Sequence, residues 1–417
     1  SSQNQVVFGF FDHDNFIDQT INDPVAGSLT FQAQQNILGA YGEAAFDYGG
    51  YLFLTLSGRN DWASTLEAEN NTLFYPGASL AFVPTSMDGG SSDALNYMKF
   101  RAGYGTSARF PNAYSTRTGF NSTASAVIGA DGSAITTNGL SSFLGNVNLK
   151  PELQKEFELG LDADLFKKRI SLQATVFKRE IRDQIVNRPI SPSSGATVTA
   201  DNIAESQIEG VEIGLDFTLI KSDNFTWSVR NNFSASENTV IDLGGVESFA
   251  YAGFSNLGNY ASEGEALGVI KGGYAARYDP AYISDDNPYG TGVNGALLIN
   301  PGTGQILDSE GDLGRGIETI GDPNADWTAT TINTLTYKQL AVSAQLEYTH
   351  GGEIYSQTAS QFYRRGVTTV NVDNREGTYI VPGLLANPTT GQLLLDTDGN
   401  PIENTIQIGA NDLYFIN

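Results

Sequence analysis

The sequence predicts an all-β chain: a transmembrane antiparallel β-barrel with long loops on one side. Three observations predict it. Apolar and polar residues alternate with period two, the alternating stretches run about 10–12 residues, and tight turns alternate with long polar connections. Successive side chains of a strand point to opposite faces, so period two marks a sheet with one apolar and one polar face. Strands of soluble domains average about 5–6 residues, whereas a strand crossing a bilayer needs about 9–11. Short turns at one end and long loops at the other are the asymmetry of outer-membrane barrels. A soluble sheet with one wet face accounts for the alternation alone.

In chain order, Leu52, Leu54 and Leu56 form the first clear apolar face, set against Thr55, Ser57 and Arg59. Met98, Phe100, Ala102 and Tyr104 oppose Lys99 and Arg101. Over 156–165, Phe157, Leu159, Leu161, Ala163 and Leu165 share one side, and Glu156, Glu158, Asp162 and Asp164 the other. Beyond Lys167-Lys168, Ile170, Leu172, Ala174 and Val176 alternate with Ser171, Gln173 and Thr175. Val211, Ile213, Leu215, Phe217 and Leu219 alternate with Glu212, Gly214, Asp216 and Thr218. Phe225, Trp227, Val229 and Phe233 then face away from Ser228, Arg230, Asn232 and Ser234. The last clear set is Val342, Ala344, Leu346 and Tyr348 against Ser343, Gln345, Glu347 and Thr349. Parity thus turns the leucine faces to lipid, and Glu158, Asp162, Glu212 and Asp216 toward a watery interior. Tight turns fall at 48–50, 166–168 and 222–224. The long polar connections are 109–154, 181–207, 237–265 and 277–325. This gives roughly twelve strands, with no exact internal repeat beyond the hairpin rhythm. Trp62, Trp227 and Trp327 sit near strand ends, where an aromatic girdle meets the headgroups.

Composition narrows the function. The formal charge is −24, so no nucleic acid is an expected partner. With no cysteine, the chain has neither a disulfide scaffold nor a thiolate site, and two histidines leave little for a His-based relay or zinc centre. Gly-x-Ser-x-Gly, a P-loop and His-Glu-x-x-His are all missing. An enzyme is therefore not expected, nor is a cofactor. The carboxylates at spacing two read as lumen wall and not as an acid/base pair. Asp308, Glu310 and Asp312 read as a solvated acidic loop, since the ligand pattern of a calcium loop is not met; no metal is expected. Charged residues are only 17% of the chain, below the roughly 25% of soluble domains. No apolar run approaches the roughly 20 residues of a spanning helix. Ser1-Ser2-Gln3-Asn4 is not the start of a signal peptide.

Several blocks together carry a family resemblance. Asn36-Ile37-Leu38-Gly39-Ala40-Tyr41-Gly42-Glu43 and Tyr51-Leu52-Phe53-Leu54-Thr55 lead into Arg59-Asn60-Asp61-Trp62-Ala63-Ser64-Thr65-Leu66. Tyr75-Pro76-Gly77-Ala78-Ser79-Leu80 and Lys99-Phe100-Arg101-Ala102-Gly103-Tyr104-Gly105 come next, then Asn148-Leu149-Lys150-Pro151-Glu152 and Glu156-Phe157-Glu158-Leu159-Gly160. Ile208-Glu209-Gly210-Val211-Glu212 and Gly321-Asp322-Pro323-Asn324-Ala325-Asp326-Trp327 complete the series, with Ala325 where relatives commonly carry proline. In this order the blocks resemble the barrel of SusC/RagA-type TonB-dependent outer-membrane transporters. The resemblance implies a barrel of about twenty-two strands, so residues 1–417 are expected to be one partial barrel domain, an internal fragment without plug domain, TonB box or closing strands.

What the family does enters as expectation. The resemblance implies active uptake of an oligosaccharide or a peptide across a bacterial outer membrane. A SusD-like surface lipoprotein closes over the barrel, and a TonB complex acts through the plug absent here. The bilayer is a further partner. For substrate contact the candidates are Arg101, facing the lumen by parity, and Arg109, Asn112 and Tyr114 at the entry to the first long loop. Arginine, amide and aromatic groups suit a peptide's carboxylate and backbone as well as a sugar's hydroxyls and ring face. The loop aromatics Tyr114, Phe120, Phe143, Phe249, Tyr251, Tyr282 and Tyr289 are the expected lipoprotein contacts. A passive porin would share strands and loops but need neither lid nor plug. A soluble extracellular β-sheet protein, adhesive or binding, would keep only the alternation.

Overall fold

A computed structural model describes residues 2–7, 30–121, 127–128, 134–135, 139–254, 256–367 and 377–409. Its largest element is an antiparallel sheet in which ten long strands pair in sequence order. They are β1 (Ile37–Tyr48), β2 (Leu52–Ala63), β3 (Thr72–Phe82), β4 (Leu95–Arg109) and β5 (Glu152–Leu165). The series goes on with β6 (Ile170–Pro189), β7 (Val198–Lys221), β8 (Phe225–Asp242), β9 (Ala325–Tyr337) and β10 (Leu340–Gly351). No described helix is long and apolar enough to cross a membrane.

Register shows why parity sorts the side chains so cleanly. One cross-strand row runs Phe46, Leu54, Leu80, Ala102, Leu159, Val176, Val211 and Ala235, all apolar. A second runs Tyr48, Leu52, Phe82, Phe100, Leu161, Ala174, Ile213, Phe233 and Ala329. Phe46, Leu54, Leu80, Leu159 and Val176 stay exposed in the chain by itself. Nothing within the first unit covers this face, as expected of a surface whose solvent is lipid.

The connections alternate. At one end lie the turns 49–51, 166–169, 222–224 and 338–339, with 83–94 wrapped around a short 3₁₀ turn at Pro84–Ser86. The strands' other ends are joined by 64–71, 110–151, 190–197 and 243–324. The turn after β5 places Phe166, Lys167 and Lys168 all at positive φ. The turn after β1 uses Gly49 and Gly50, where positive φ costs nothing. Two of the expected loops prove to be strand. Most of 181–207 belongs to β6 and β7, which pair with register shifts around Ile181–Ile185, and β8 runs on to Asp242. Residues such as Gln184, Asn202 and Ser206 break the apolar alternation, yet the backbone ladder continues through them.

At the long-loop end, the loop 110–151 is tied to the sheet. Leu149 is fully buried with Leu66 and Ala200, and Phe110, Phe143 and Ile185 pack on them. Phe143–Leu144 pairs in parallel with Val198–Thr199. Asn146 donates to the Ala200 carbonyl, and Asn202 donates to the Lys150 carbonyl. Phe143 therefore anchors the loop instead of presenting a free aromatic surface.

By its internal contacts the chain forms two compact units, Ser1–Gly245 with Thr328–Tyr348, and Val246–Trp327 with Thr349–Asn417. The second unit contains an internal repeat. Leu297-Leu298-Ile299-Asn300-Pro301-Gly302-Thr303-Gly304-Gln305 returns as Leu384-Leu385-Ala386-Asn387-Pro388-Thr389-Thr390-Gly391-Gln392. Both copies fold into the same hairpin. Asn300 and Asn387 each accept a side-chain hydrogen bond two residues on, from the N–H of Gly302 and Thr389. Gly304 and Gly391 occupy the left-handed region at φ 74° and 75°. The copies lie side by side in parallel, Leu298 beside Leu384 and Ile299 beside Leu385.

Elsewhere in this unit Glu265 receives Lys271 Nζ at 2.6 Å and the Thr319 hydroxyl at 2.7 Å. Burial works to raise the Glu265 carboxyl, but Lys271 and the hydroxyls of Thr319 and Ser262 outweigh it and hold it below the ordinary 4.5. A depressed carboxyl stabilises the fold above its unfolded pKa, and that contribution is lost as pH falls through the folded value. Unfolding of the second unit, followed by the fluorescence of its tyrosines, should therefore become easier below about pH 4.5. Glu265→Gln should flatten that acid limb while lowering stability at pH 7. An unchanged acid limb in the variant would refute the assignment.

Candidate functional site

The polar face of the sheet carries the candidate site. One inward row runs Arg101, Gly160, Thr175, Glu212, Ser234 and Thr328. The next runs Lys99, Asp162, Gln173, Gly214, Asn232 and Thr330. Between them lies a depression of about 490 Å³ lined by Arg101, Glu158, Thr175, Glu212, Asn232 and Thr330 among others. A second, of about 360 Å³, is lined by Glu43, Ser57, Ser79, Glu156 and Glu158. Six strands thus contribute to the first depression, and residues more than two hundred positions apart meet there only because the register aligns them.

Arg101 crosses its neighbour strand. Its Nη2 donates to Thr175 Oγ1 at 2.9 Å, and its Nε lies 3.3 Å from Asp162 Oδ1. The crossing requires Gly160, since a Cβ there would stand 2.5 Å from the guanidinium carbon. Lys99 also reaches Asp162, at 3.3 Å. Further pairs join adjacent strands along the same face: Arg179 with Glu156 at 2.5 Å, and Arg230 with Asp216 at 2.8 Å. Near the loop end of β2, Asp61 is 5% exposed and takes Arg59 Nε at 2.8 Å together with the Tyr75 hydroxyl. With most basic groups spent on partners, Glu158 and Glu212 leave this wall acidic. That arrangement suits hydrogen bonding to a polar solute, and nothing in it sets a nucleophile beside a base.

The structure does not gather the four sequence candidates in one place. Arg101 lies eight residues along β4 from Arg109, about 26 Å at the ordinary strand rise. Arg109 is exposed at the strand end, its Nη1 3.8 Å from Glu152. Asn112 and Tyr114 follow in a tight turn, where the Ser115 N–H donates to the Asn112 carbonyl and the Arg117 N–H to that of Tyr114. Tyr114 adopts φ 69°, a left-handed conformation uncommon for a bulky residue, and its ring is exposed. Arg109, Asn112 and Tyr114 are therefore neighbours at the mouth end, and Arg101 belongs to the wall. Thr175, Asn232, Ser234, Thr328 and Thr330 were not singled out from the sequence. Parity assigns their face, but only cross-strand register joins them. Among the described residues no group of carboxylates and histidines is placed to hold a metal. Asp308 and Asp312 use their carboxylates on backbone N–H groups of their own turn.

Long antiparallel strands, an apolar outer face, a polar inner face and loops at one end define the wall of an outer-membrane β-barrel. The chain belongs to the TonB dependent receptor-like β-barrel family, whose model matches residues 2–379. Two receptors of Formosa agariphila are similar. TonB-dependent receptor P3 is 28% identical over 80% of this chain and 34% of its own length, and TonB-dependent receptor P26 is 25% identical over 86% and 36%. The chain thus spans about a third of the length of these relatives. Among solved structures, the RagAB peptide transporter superposes with a TM-score of 0.67 at 17% identity, covering 89% of this chain and 40% of that one. The family is one of outer-membrane receptor barrels and not of enzymes.

Proposed function

We propose that this chain supplies wall, lumen face and exterior loops to an active importer of oligosaccharides or peptides. In this reading residues 1–417 are part of a larger barrel, a plug within that barrel couples it to a TonB complex, and a SusD-like lipoprotein covers its mouth. The carrying observation is the division of the sheet's ends: the two longest connections, 110–151 and 243–324, leave from one end, and the turns 49–51, 166–169, 222–224 and 338–339 lie at the other. The match to RagAB, a peptide transporter, supports the same reading. Arg109, Asn112 and Tyr114 would meet the substrate at the mouth, with Arg101 and the acidic inner rows lining its path. Uptake of labelled oligosaccharides and peptides by cells carrying the full-length protein tests it. Import should stop when a protonophore collapses the proton gradient; import indifferent to the protonophore would mean a passive porin.

The lid has its own test. Phe120 and Tyr251 are exposed aromatics on long connections, whereas Phe143, Phe249, Tyr282 and Tyr289 are at least half-buried. Exposed aromatics in polar surroundings are the usual anchors of protein–protein contacts. Phe120→Ser and Tyr251→Ser together should reduce co-purification of the lipoprotein about tenfold or more and leave barrel insertion intact. Undiminished co-purification would refute docking through these loops.

A further inference from the structure

One stretch of the outward face breaks the apolar rule. The row through Ala163 runs Met98, Ala163, Leu172 and Leu215, then changes to Asn231 on β8 and Thr331 on β9. The next outward row toward the turns runs Leu165, Ile170, Phe217 and Val229, then reaches Asn333. Parity holds on both sides of these residues. Phe233 and Ala329 lie two residues nearer the loops than Asn231 and Thr331, and Trp227 and Leu335 two nearer the turns than Val229 and Asn333. Asn231, Thr331 and Asn333 therefore stand outward, in a seam between β8 and β9.

The seam lies at the depth of hydrocarbon. Asn333 is four residues and Thr331 six from Tyr337, at the turn end of β9. At the ordinary rise these are about 13 and 20 Å along the strand. A tilt of about 35–45° brings both near the middle of an apolar band about 25 Å tall.

Acyl chains offer these groups no partner. Trp227 Nε1 donates to Asn333 Oδ1 at 3.3 Å, which leaves the amide hydrogens of Asn333 over. Asn231 and Thr331 have no side-chain hydrogen bond among the described residues. An unpaired amide or hydroxyl is costly against hydrocarbon, so the seam needs a protein cover with donors and acceptors at the same depth. An asparagine amide and a threonine hydroxyl each both donate and accept, so two copies of this seam satisfy one another. Asn231 and Thr331 are direct cross-strand neighbours, about 5 Å apart at Cβ, with Asn333 about 7 Å away on the diagonal. Ala329 and Ala235 follow toward the loops on the same face, small residues that let two surfaces approach as they do between membrane helices.

We infer that this seam is the contact surface between two copies of the protein in the membrane, related by a two-fold axis along the bilayer normal. Two-fold symmetry is the commonest in homo-oligomers. Along the normal it keeps the loops of both copies on one side and sets Asn231, Thr331 and Asn333 against their counterparts at equal depth. The inference holds whatever the importer carries.

Residues 1–417 contain no cysteine, so Thr331→Cys, in full-length protein with any cysteine elsewhere replaced by serine, places a single thiol in the seam. A short bis-maleimide should join two copies through it in lipid vesicles. Leu80→Cys, outward on β3, should give no covalent dimer at the same dilution. Asn231→Leu with Asn333→Leu should raise the dimer dissociation constant about tenfold or more, read by sedimentation in detergent. Heat-modifiable migration should show that barrel intact, so loss of the fold does not mimic the result. A monomer at every concentration, equal cross-linking from positions 80 and 331, or unchanged association of the double variant would overturn the assignment. So would a thiol at 331 shielded from the reagent in a monomer, because a further segment of the same chain would then be the cover.

Discussion

Leu159→Lys is expected to cost about 2–4 kcal/mol of folding stability in a bilayer, roughly thirtyfold to nearly a thousandfold in the folding equilibrium. Leu159 stands mid-strand on the outward face, between Ala102 on β4 and Val176 on β6. Its row is apolar from Phe46 to Ala235, so a lysine finds no carboxylate on that face within one strand spacing. The neighbouring Glu158→Gln, on the inward face, should leave stability nearly unchanged and affect only what the lumen admits. Denaturant unfolding of the full-length protein in lipid vesicles measures both. A third substitution separates lipid from a packed interior. Leu159→Trp adds volume that fluid lipid accommodates, whereas a close-packed core would be overfilled at about 1–3 kcal/mol. A large cost for the tryptophan would mean that the leucine face packs against protein.

Much of this wall is legible in sequence because the bilayer imposes a simple rule. Where lipid lies outside and water inside, alternation is enforced residue by residue, and Phe157 through Leu165 show it without exception. Above the membrane the rule lapses. At Gln184, Asn202 and Ser206 no lipid face imposes the alternation, so strands that continue there look like loop. Buried anchors are hidden for a related reason: Leu149 and Phe143 sit in polar stretches with no period, and only the folded rim explains their burial. The repeat at Leu297 and Leu384 escapes notice because its copies lie far apart in sequence and share a turn more than a pattern. Its signal is Asn-Pro-x-Thr-Gly-Gln in both copies, where the asparagine side chain closes the turn. The lumen rows lie furthest from sequence. Arg101 and Thr175 each announce a face, but the hydrogen bond between them depends on register across β5 and on a glycine at 160.

Expressed by itself, the segment 1–417 should aggregate or fail to insert, an all-or-none loss in place of a graded one. Among the described residues the sheet does not close. It ends at β1 on one side and β10 on the other, each of twelve residues and exposed along its whole length. An antiparallel edge of that length leaves about a dozen backbone N–H and C=O groups unpaired. In hydrocarbon each costs several kcal/mol, and the sum for two edges far exceeds the roughly 5–15 kcal/mol by which a domain is stable. Ser2–Val7 pairs antiparallel with Thr30–Gln35, Ser2 opposite Gln35, and Thr30–Gln35 leads directly into β1. A longer chain whose further strands pair with β1 and β10 should insert, and heat-modifiable migration on gels should report its closed barrel. Residues 1–417 alone should show no such migration in the same vesicles. A monodisperse, detergent-free monomer of the segment would refute the barrel outright, because a soluble sheet has no reason to leave two such edges and a leucine face in water.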